Sequence, residues 1–529
     1  MLHKVSEVDD INSKEEMSIF IDQLRITASN NRNDKLLLET IEKAILKCKQ
    51  ISDKKSIVKL YEIKISQIEH LLDNLQTISD LIQQMKKMSK DINFNGGLAL
   101  AYYKEWYVQK YKGNKKDSIK ALTISMNYAS QLSSSEQYEY NVCNYSYAVE
   151  NWLSNHDIQS SIIFKKCANY FHENHFYRSF SQCLSYLFVI YQQTQDNKNS
   201  LDLIKKIIMN TSFLNHISDD IKSIIYYHIG VSYKLSFNLD KAENYLLESK
   251  NLLKTVYPSS IYSSYYLTSL SHLTSIYALQ GKLELAYNHM NQVKELLLEE
   301  ANIKNIDSFN KKQIIHTFNL TEFYIRSRLE SFQTEELDML SSAIFESLGK
   351  HHSNAIFLSE FLINANLTKD QLIKIKKLNN SSTKRVEHII NFLIEKPVYS
   401  DEKQFMKQIS ALKRRPVAAR MTLVERAFTD LLAAQEYFKL ERYTEIYPLL
   451  RKYKNQLKHI EVLELRIFME AFIQIGAFKN GDPLGPALQY VAIKNCRYYG
   501  FTRLENKLLD YLMIQKQDVL KEMAHLKLN

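Results

Sequence analysis

The chain has 529 residues, with only 10 glycines and 6 prolines, and carries 69 basic against 59 acidic side chains for a formal net charge of +10. So few turn-formers exclude a strand-rich fold of this length, which would need many more. The charge is mildly basic and does not by itself require a nucleic-acid partner. Five scattered cysteines, 48, 143, 167, 183 and 496, read as reduced intracellular thiols.

In chain order, the opening MLHKVSEVDDINSKEE holds no apolar run, so no signal peptide is expected. No later stretch approaches the length of a membrane span. A cytoplasmic protein with no membrane partner is therefore expected. Ile41, Ile45, Ile51, Ile57, Leu60, Ile63, Ile68 and Leu71 give apolar faces to two or three helices, which assigns 1–93 to an N-terminal helical bundle. FNGGLAL, with the only Gly-Gly pair, marks a joint. A helical repeat array is predicted over 94–377. LNNSSTKR and the basic run around LKRRPVAAR form a polar, basic linker region at 378–415, and 416–529 returns to helix pairs.

The repeat is clearest in the middle. Tyr226, Ile229, Gly230, Tyr233, Ala242 and Leu246 are matched in spacing, 44 residues on, by Leu270, Leu273, Thr274, Tyr277, Ala286 and Met290. Each copy reads as two helices joined by a short turn, NLD and then QGK. A glycine inside a helix costs about 1 kcal/mol relative to alanine, so a close helix–helix approach at Gly230 and Ala242 is expected to justify it. Weaker copies stand at Tyr147–Phe164, around Gly113 and Ser118, and at Ala433, Ala434, Tyr437, Ile446 and Leu450. The predicted fold is all-α: a solenoid of antiparallel helix hairpins with an N-terminal bundle and a C-terminal helical extension.

This pattern resembles the tetratricopeptide repeat, whose unit is usually ~34 residues. Over about residues 40–330 the order of IVKLYEIKISQIEHLL, FYRSFSQCLSYLFVIYQQTQD and IIYYHIGVSYKLSFNLDKAENYLLESKNLL is similar to the Rap proteins of the peptide-sensing RRNPP group of Gram-positive bacteria. The resemblance implies a short peptide or a protein as partner, held on a concave repeat surface. Some such proteins also dephosphorylate a response regulator with a glutamine. Lys55 stands at that position here; lysine is only a donor, so no phosphatase or other enzyme activity is expected. At the family's peptide-clamping asparagines this chain has Gln193, His228 and Val231. The expected polar row for a peptide or partner is Asn151, Gln193, His228 and Tyr233, against the plainer reading of packing and solvated residues.

Other constellations are thinner. Cys167, His172, His175 and Cys183 fall close together, but their spacing fits no standard zinc site; no metal and no cofactor is expected. Neither a phosphate loop nor a nucleophile or zinc-protease motif is present. Lys413, Arg414, Arg415 and Arg420 make the densest basic run, a candidate contact for an anionic partner. A DNA-binding regulator of the same group is the second reading, and a non-catalytic subunit of a phage-defence or other enzyme complex the third. A homodimer stays open.

Overall fold

The computed structural model describes residues 8–31, 35–68, 75–155, 157–194, 196–256, 264–298, 422–481 and 485–511, with isolated helical positions between 299 and 421. Every regular element among the described residues is helical, and neighbouring helices in the series pack on one another. The helices are α1 Lys14–Asn30, α2 Lys35–Gln50, α3 Lys54–Ile68, α4 Leu75–Asp91, α5 Asn95–Tyr111, α6 Lys115–Ala129, α7 Gln137–Asn155, α8 Ser160–Glu173, α9 Tyr177–Gln193, α10 Asn197–Met209, α11 Thr211–His216, α12 Asp219–Leu235, α13 Leu239–Val256, α14 Ser264–Leu279 and α15 Leu283–Leu298. After residue 421 come α16 Leu423–Lys439, α17 Ile446–Leu450, α18 Leu463–Lys479, α19 Gly485–Tyr498 and α20 Thr502–Asp510. This is the expected all-α array of helix hairpins with a C-terminal helical extension. The chain divides into two compact units, one of Met1–Ile190 with Ile207–Ile221, the other of Tyr191–Lys206 with Lys222–Asn529.

One hydrogen bond recurs in three of the hairpins. Ser125 Oγ of α6 donates to the Ala99 carbonyl of α5 at 2.8 Å. Cys167 Sγ of α8 donates to the Asn141 carbonyl of α7 at 3.5 Å, and Ser249 Oγ of α13 to the Ser223 carbonyl of α12 at 2.8 Å. The separation along the chain is 26 residues in all three. Each is buried, and a small side chain at that place on the second helix is what allows the backbone of the first to come so near. The bond therefore fixes the register of a hairpin and defines equivalent positions among hairpins.

The turns repeat as well. Asn114, Asn238, Lys282 and Arg442 each donate their N–H to the carbonyl five residues earlier, that of Gln109, Tyr233, Tyr277 and Tyr437, at 2.8–2.9 Å. This is the Schellman ending of a helix, which needs the preceding residue in the left-handed region. Gly113 and Gly281 supply it without cost at φ +77° and +78°, whereas Phe237 and Glu441 adopt it at +56° and +57° with a side chain.

Gly230 does permit a close approach, but to a residue one turn beyond Ala242. A Cβ there would lie 2.6 Å from Leu246 Cγ and 3.2 Å from its backbone nitrogen. Ala242 and Leu246 are fully buried in the same apolar core. Gly96 and Gly97, expected to mark a joint, lie in the first turn of α5, where a Cβ on Gly97 would meet Ser89, Phe94 and Val58 within 3 Å. Gly97 thus permits close packing of α5 on α3 and α4, while a Cβ on Gly96 would meet the Glu136 side chain ahead of α7.

In the second unit, α12–α15 and α16–α20 share one apolar core. The Glu461 carboxylate accepts from the Leu239 and Asp240 N–H groups, capping the start of α13 from far along the chain. Leu463 and Phe501 close on Gly281 at the α14–α15 turn. The weak repeat at Ala433, Ala434, Ile446 and Leu450 is buried as expected, but its second helix is short. Turns of 3-10 helix at Arg451–Tyr453 and Leu457–His459 follow it. Gly476 on α18 faces α17, and a Cβ there would sit 2.7 Å from the Tyr447 backbone nitrogen. Backbone cannot step aside as a side-chain tip can. Gly476→Ala is expected to lower stability by about 1–3 kcal/mol in urea unfolding, despite the ~1 kcal/mol gain in helix propensity.

Candidate functional site

Two buried polar clusters stand out, one inside each unit. In the first unit α1 lies against α3 and reaches α7 and α9. Met17, Phe20, Ile21, Leu24 and Ala28 make its apolar stripe, and Arg25 sits within that stripe at 3 % exposure. Arg25 Nη2 is 3.3 Å from Glu139 Oε1, and its Nε is 3.7 Å from Glu62 Oε2. The guanidinium lies over the Tyr138 ring, 4.0 Å from its centre. Lys104 of α5 completes the group, 3.8 Å from Glu62 Oε1 and 2.7 Å from Ser66 Oγ. Two cations and two anions thus balance away from water, which is the only tolerable way to bury them.

Burial opposes the Arg25 charge, but Glu139 foremost, then Tyr138 and Glu62, hold its pKa above the ordinary value. Burial, then Glu62, pushes the Tyr138 hydroxyl well up. Either side, α1 is pinned by carboxamides. Gln67 Nε2 donates to the Ala28 carbonyl at 2.7 Å. Asn30 Nδ2 donates to the His175 carbonyl at 2.9 Å, while its Oδ1 accepts from the Arg178 N–H in the first turn of α9 at 3.2 Å. Asn30 therefore caps a helix that is not its own.

In the second unit α14 is buried all round from Tyr266 to Leu279, although it carries Thr268, Ser269, Ser271, His272, Thr274 and Ser275. Ser271 and Thr274 return their hydroxyls to the carbonyls one turn back. His272 Nδ1 is 3.0 Å from Lys234 Nζ of α12. With lysine donating, the imidazole proton is assigned to Nε2. Gln192 of α9 donates to the His228 carbonyl and, at 3.0 Å, to Ser232 Oγ. Burial lowers Lys234 to about 7 and His228 to about 3. His272 is pushed well below its usual value by burial and then by Lys234.

Counting from the bonded carbonyls Ala99, Asn141 and Ser223 places the residues singled out from sequence. Five positions on stand Lys104, Ser146 and His228, all buried; ten positions on stand Gln109, Asn151 and Tyr233, all partly exposed. Asn151 and Tyr233 thus share a repeat position, and His228 belongs to another. The His228 ring stands edge-on to Tyr227 and Tyr265, at 5.1 and 6.0 Å. Tyr233 instead stacks on Tyr245 of α13 at 5.8 Å, with Lys241 over its face. The side chain of Gln193 lies outside the described residues, as do Lys413, Arg414, Arg415 and Arg420. Lys55 is exposed on the first turn of α3, 4.8 Å from the Phe94 ring centre. His172 bonds Asn210 and His175 bonds Tyr177, so the two imidazoles go to separate partners, and Cys167 and Cys183 are buried.

Sequence reasoning passed over Arg25, Glu62, Lys104, Glu139, Lys234 and His272. The signal was there as a charged or polar residue in the apolar register of a helix, as in YEIKI around Glu62. No family model and no curated protein matches the chain. Among the described residues, no helix is long and apolar enough to cross a membrane.

Removing one member of a buried ion group leaves the others unbalanced. Arg25→Met is expected to cost about 3–5 kcal/mol in urea unfolding. Adding Glu139→Leu is expected to recover part of that loss, a coupling read by a double-mutant cycle. Lys234 gives a pH signature. Its folded pKa lies below the ~10.4 of an unfolded lysine, so between these values the unfolded chain binds more protons and stability rises with pH. Comparing unfolding at about pH 7 and pH 9.5, the wild type is expected to gain at least ~1 kcal/mol on a Lys234→Met variant.

Proposed function

We propose that the chain is a non-catalytic regulatory or scaffold protein that holds a short peptide or a protein partner on its repeat surface. The observation that supports this most is a stripe on α7. Tyr140, Asn144, Tyr147 and Asn151 follow one another on one helix face, and both tyrosines remain exposed while the other flank of α7 is buried. Tyrosine gives a rigid amphipathic anchor, and a carboxamide can both donate to and accept from a peptide backbone. A repeat array sets such a stripe beside its neighbours and so offers an extended surface.

The resemblance to the Rap and RRNPP regulators points the same way, toward a peptide-sensing cytoplasmic regulator of tetratricopeptide type. Lys55 in place of the glutamine argues for sensing or sequestration without dephosphorylation. The buried ion group supports this reading, since it steadies the surface that would receive a partner.

The test is capture from lysate with the intact protein and with the Tyr140→Ala, Tyr147→Ala, Asn151→Ala triple variant. Truncating exposed side chains should leave helicity unchanged. The partner recovered by the wild type is expected to fall about tenfold or more with the variant, as anchor residues of ~1–2 kcal/mol each require. Equal recovery would refute the assignment of the site.

A further inference from the structure

We propose that the turn ends of the α5–α6 and α7–α8 hairpins form an edge that binds an anionic lipid bilayer peripherally. The two tips are neighbours: Glu150 near the end of α7 accepts from Trp106 Nε1 at 3.1 Å and from Lys110 Nζ at 2.9 Å, both near the end of α5. Five large apolar side chains are displayed there, Tyr111 and Ile119 on one tip and Leu153, Ile158 and Ile162 on the other. Each is between 42 % and 59 % exposed, where scattered single residues would need no explanation but a group of five at one edge does.

The second observation is charge. Lys112, Lys115, Lys116 and Lys120 stand exposed around the first tip, and none is in an ion pair among the described residues. Asp117 is the exposed acid among them. Lys110, one turn away, is already matched by Glu150. The apolar groups occupy helix ends and turns, at the tips of the two hairpins. An edge of lysines and aliphatic tips suits a flat, deformable, negatively charged surface: lysines meet the phosphates while isoleucine, leucine and tyrosine enter the headgroup–acyl boundary. An acidic protein would instead have to offer a groove shaped to the edge. Peripheral attachment needs no membrane-crossing helix, and it would place the partner-binding stripe of α7 beside the membrane.

The experiment is co-sedimentation of the full chain with vesicles of phosphatidylcholine alone and with about 30 % phosphatidylglycerol, at low and high salt. The expected result is binding to the anionic vesicles only, weakened at high salt. It should fall about tenfold or more in L153S/I158S/I162S and in K112E/K115E/K116E, with helicity unchanged by circular dichroism. Three results would overturn the proposal. They are no sedimentation with anionic vesicles at low salt, sedimentation that both variants retain, or no vesicle binding while the same variants lose a captured acidic protein. The last would assign the edge to a protein partner. Vesicle binding is independent of the α7 stripe, so failure here and failure of the proposed function are separately readable.

Discussion

The packing of the described hairpins rests on how closely their two helices can approach. The hydrogen bond from a small side chain of the second helix to a carbonyl of the first, repeated at Ser125, Cys167 and Ser249, is the measure of that approach. It is worth only about 1 kcal/mol each time. Its consequence is larger, because it fixes axial register, and register decides which residues of the first helix face a neighbour and which face out. Lys104, Ser146 and His228 go in; Gln109, Asn151 and Tyr233 stay at the surface. Gly230 and Gly476 meet the same demand by a missing side chain, and they do so at helix pairs in different parts of the second unit.

Once register is set, polar residues at inward positions must be satisfied. The two units do this differently. The first balances Arg25 and Lys104 against Glu62 and Glu139. The second keeps its buried bases close to neutral, with Lys234 beside His272. Neither arrangement is the cheapest way to fill a core, since apolar residues of similar volume are often as stable or more so. Each ties helices from different hairpins together in one geometry.

The fold was legible because its information is local. Scarce glycine and proline, the matched spacings at Gly230 and Thr274, and the NLD and QGK turns all report on a helix pair without knowledge of its surroundings. Even the weak repeat at Ala433 was visible, although the shortness of its second helix and the 3-10 turns that follow were not. The candidate site was less legible because it depends on register between hairpins. Tyr233 and Asn151 do share a position, but the ring of Tyr233 turns toward Tyr245, and no spacing along one helix foretells a contact with the next. Likewise Arg25 reads as an ordinary solvated arginine until α1 is seen to lie against α3 and α7. The shared core of α12–α15 with α16–α20 was equally out of reach, since Glu461 and Leu239 are joined only by the folded chain.

The hairpin register is the central claim, and a cross-link tests it most directly. Cysteines placed at 230 and 246 would stand where glycine now leaves room for the leucine side chain, within the reach of a disulfide. The five native cysteines are buried and should stay reduced under mild oxidation of the folded protein. Disulfide mapping by mass spectrometry is predicted to find a 230–246 bond in G230C/L246C. It is predicted to find none between the introduced residues in G230C/N244C, because Asn244 is exposed on the outer face of α13. A bond in the second variant and none in the first would contradict the register, and with it the assignment of inward and outward positions on which the rest depends.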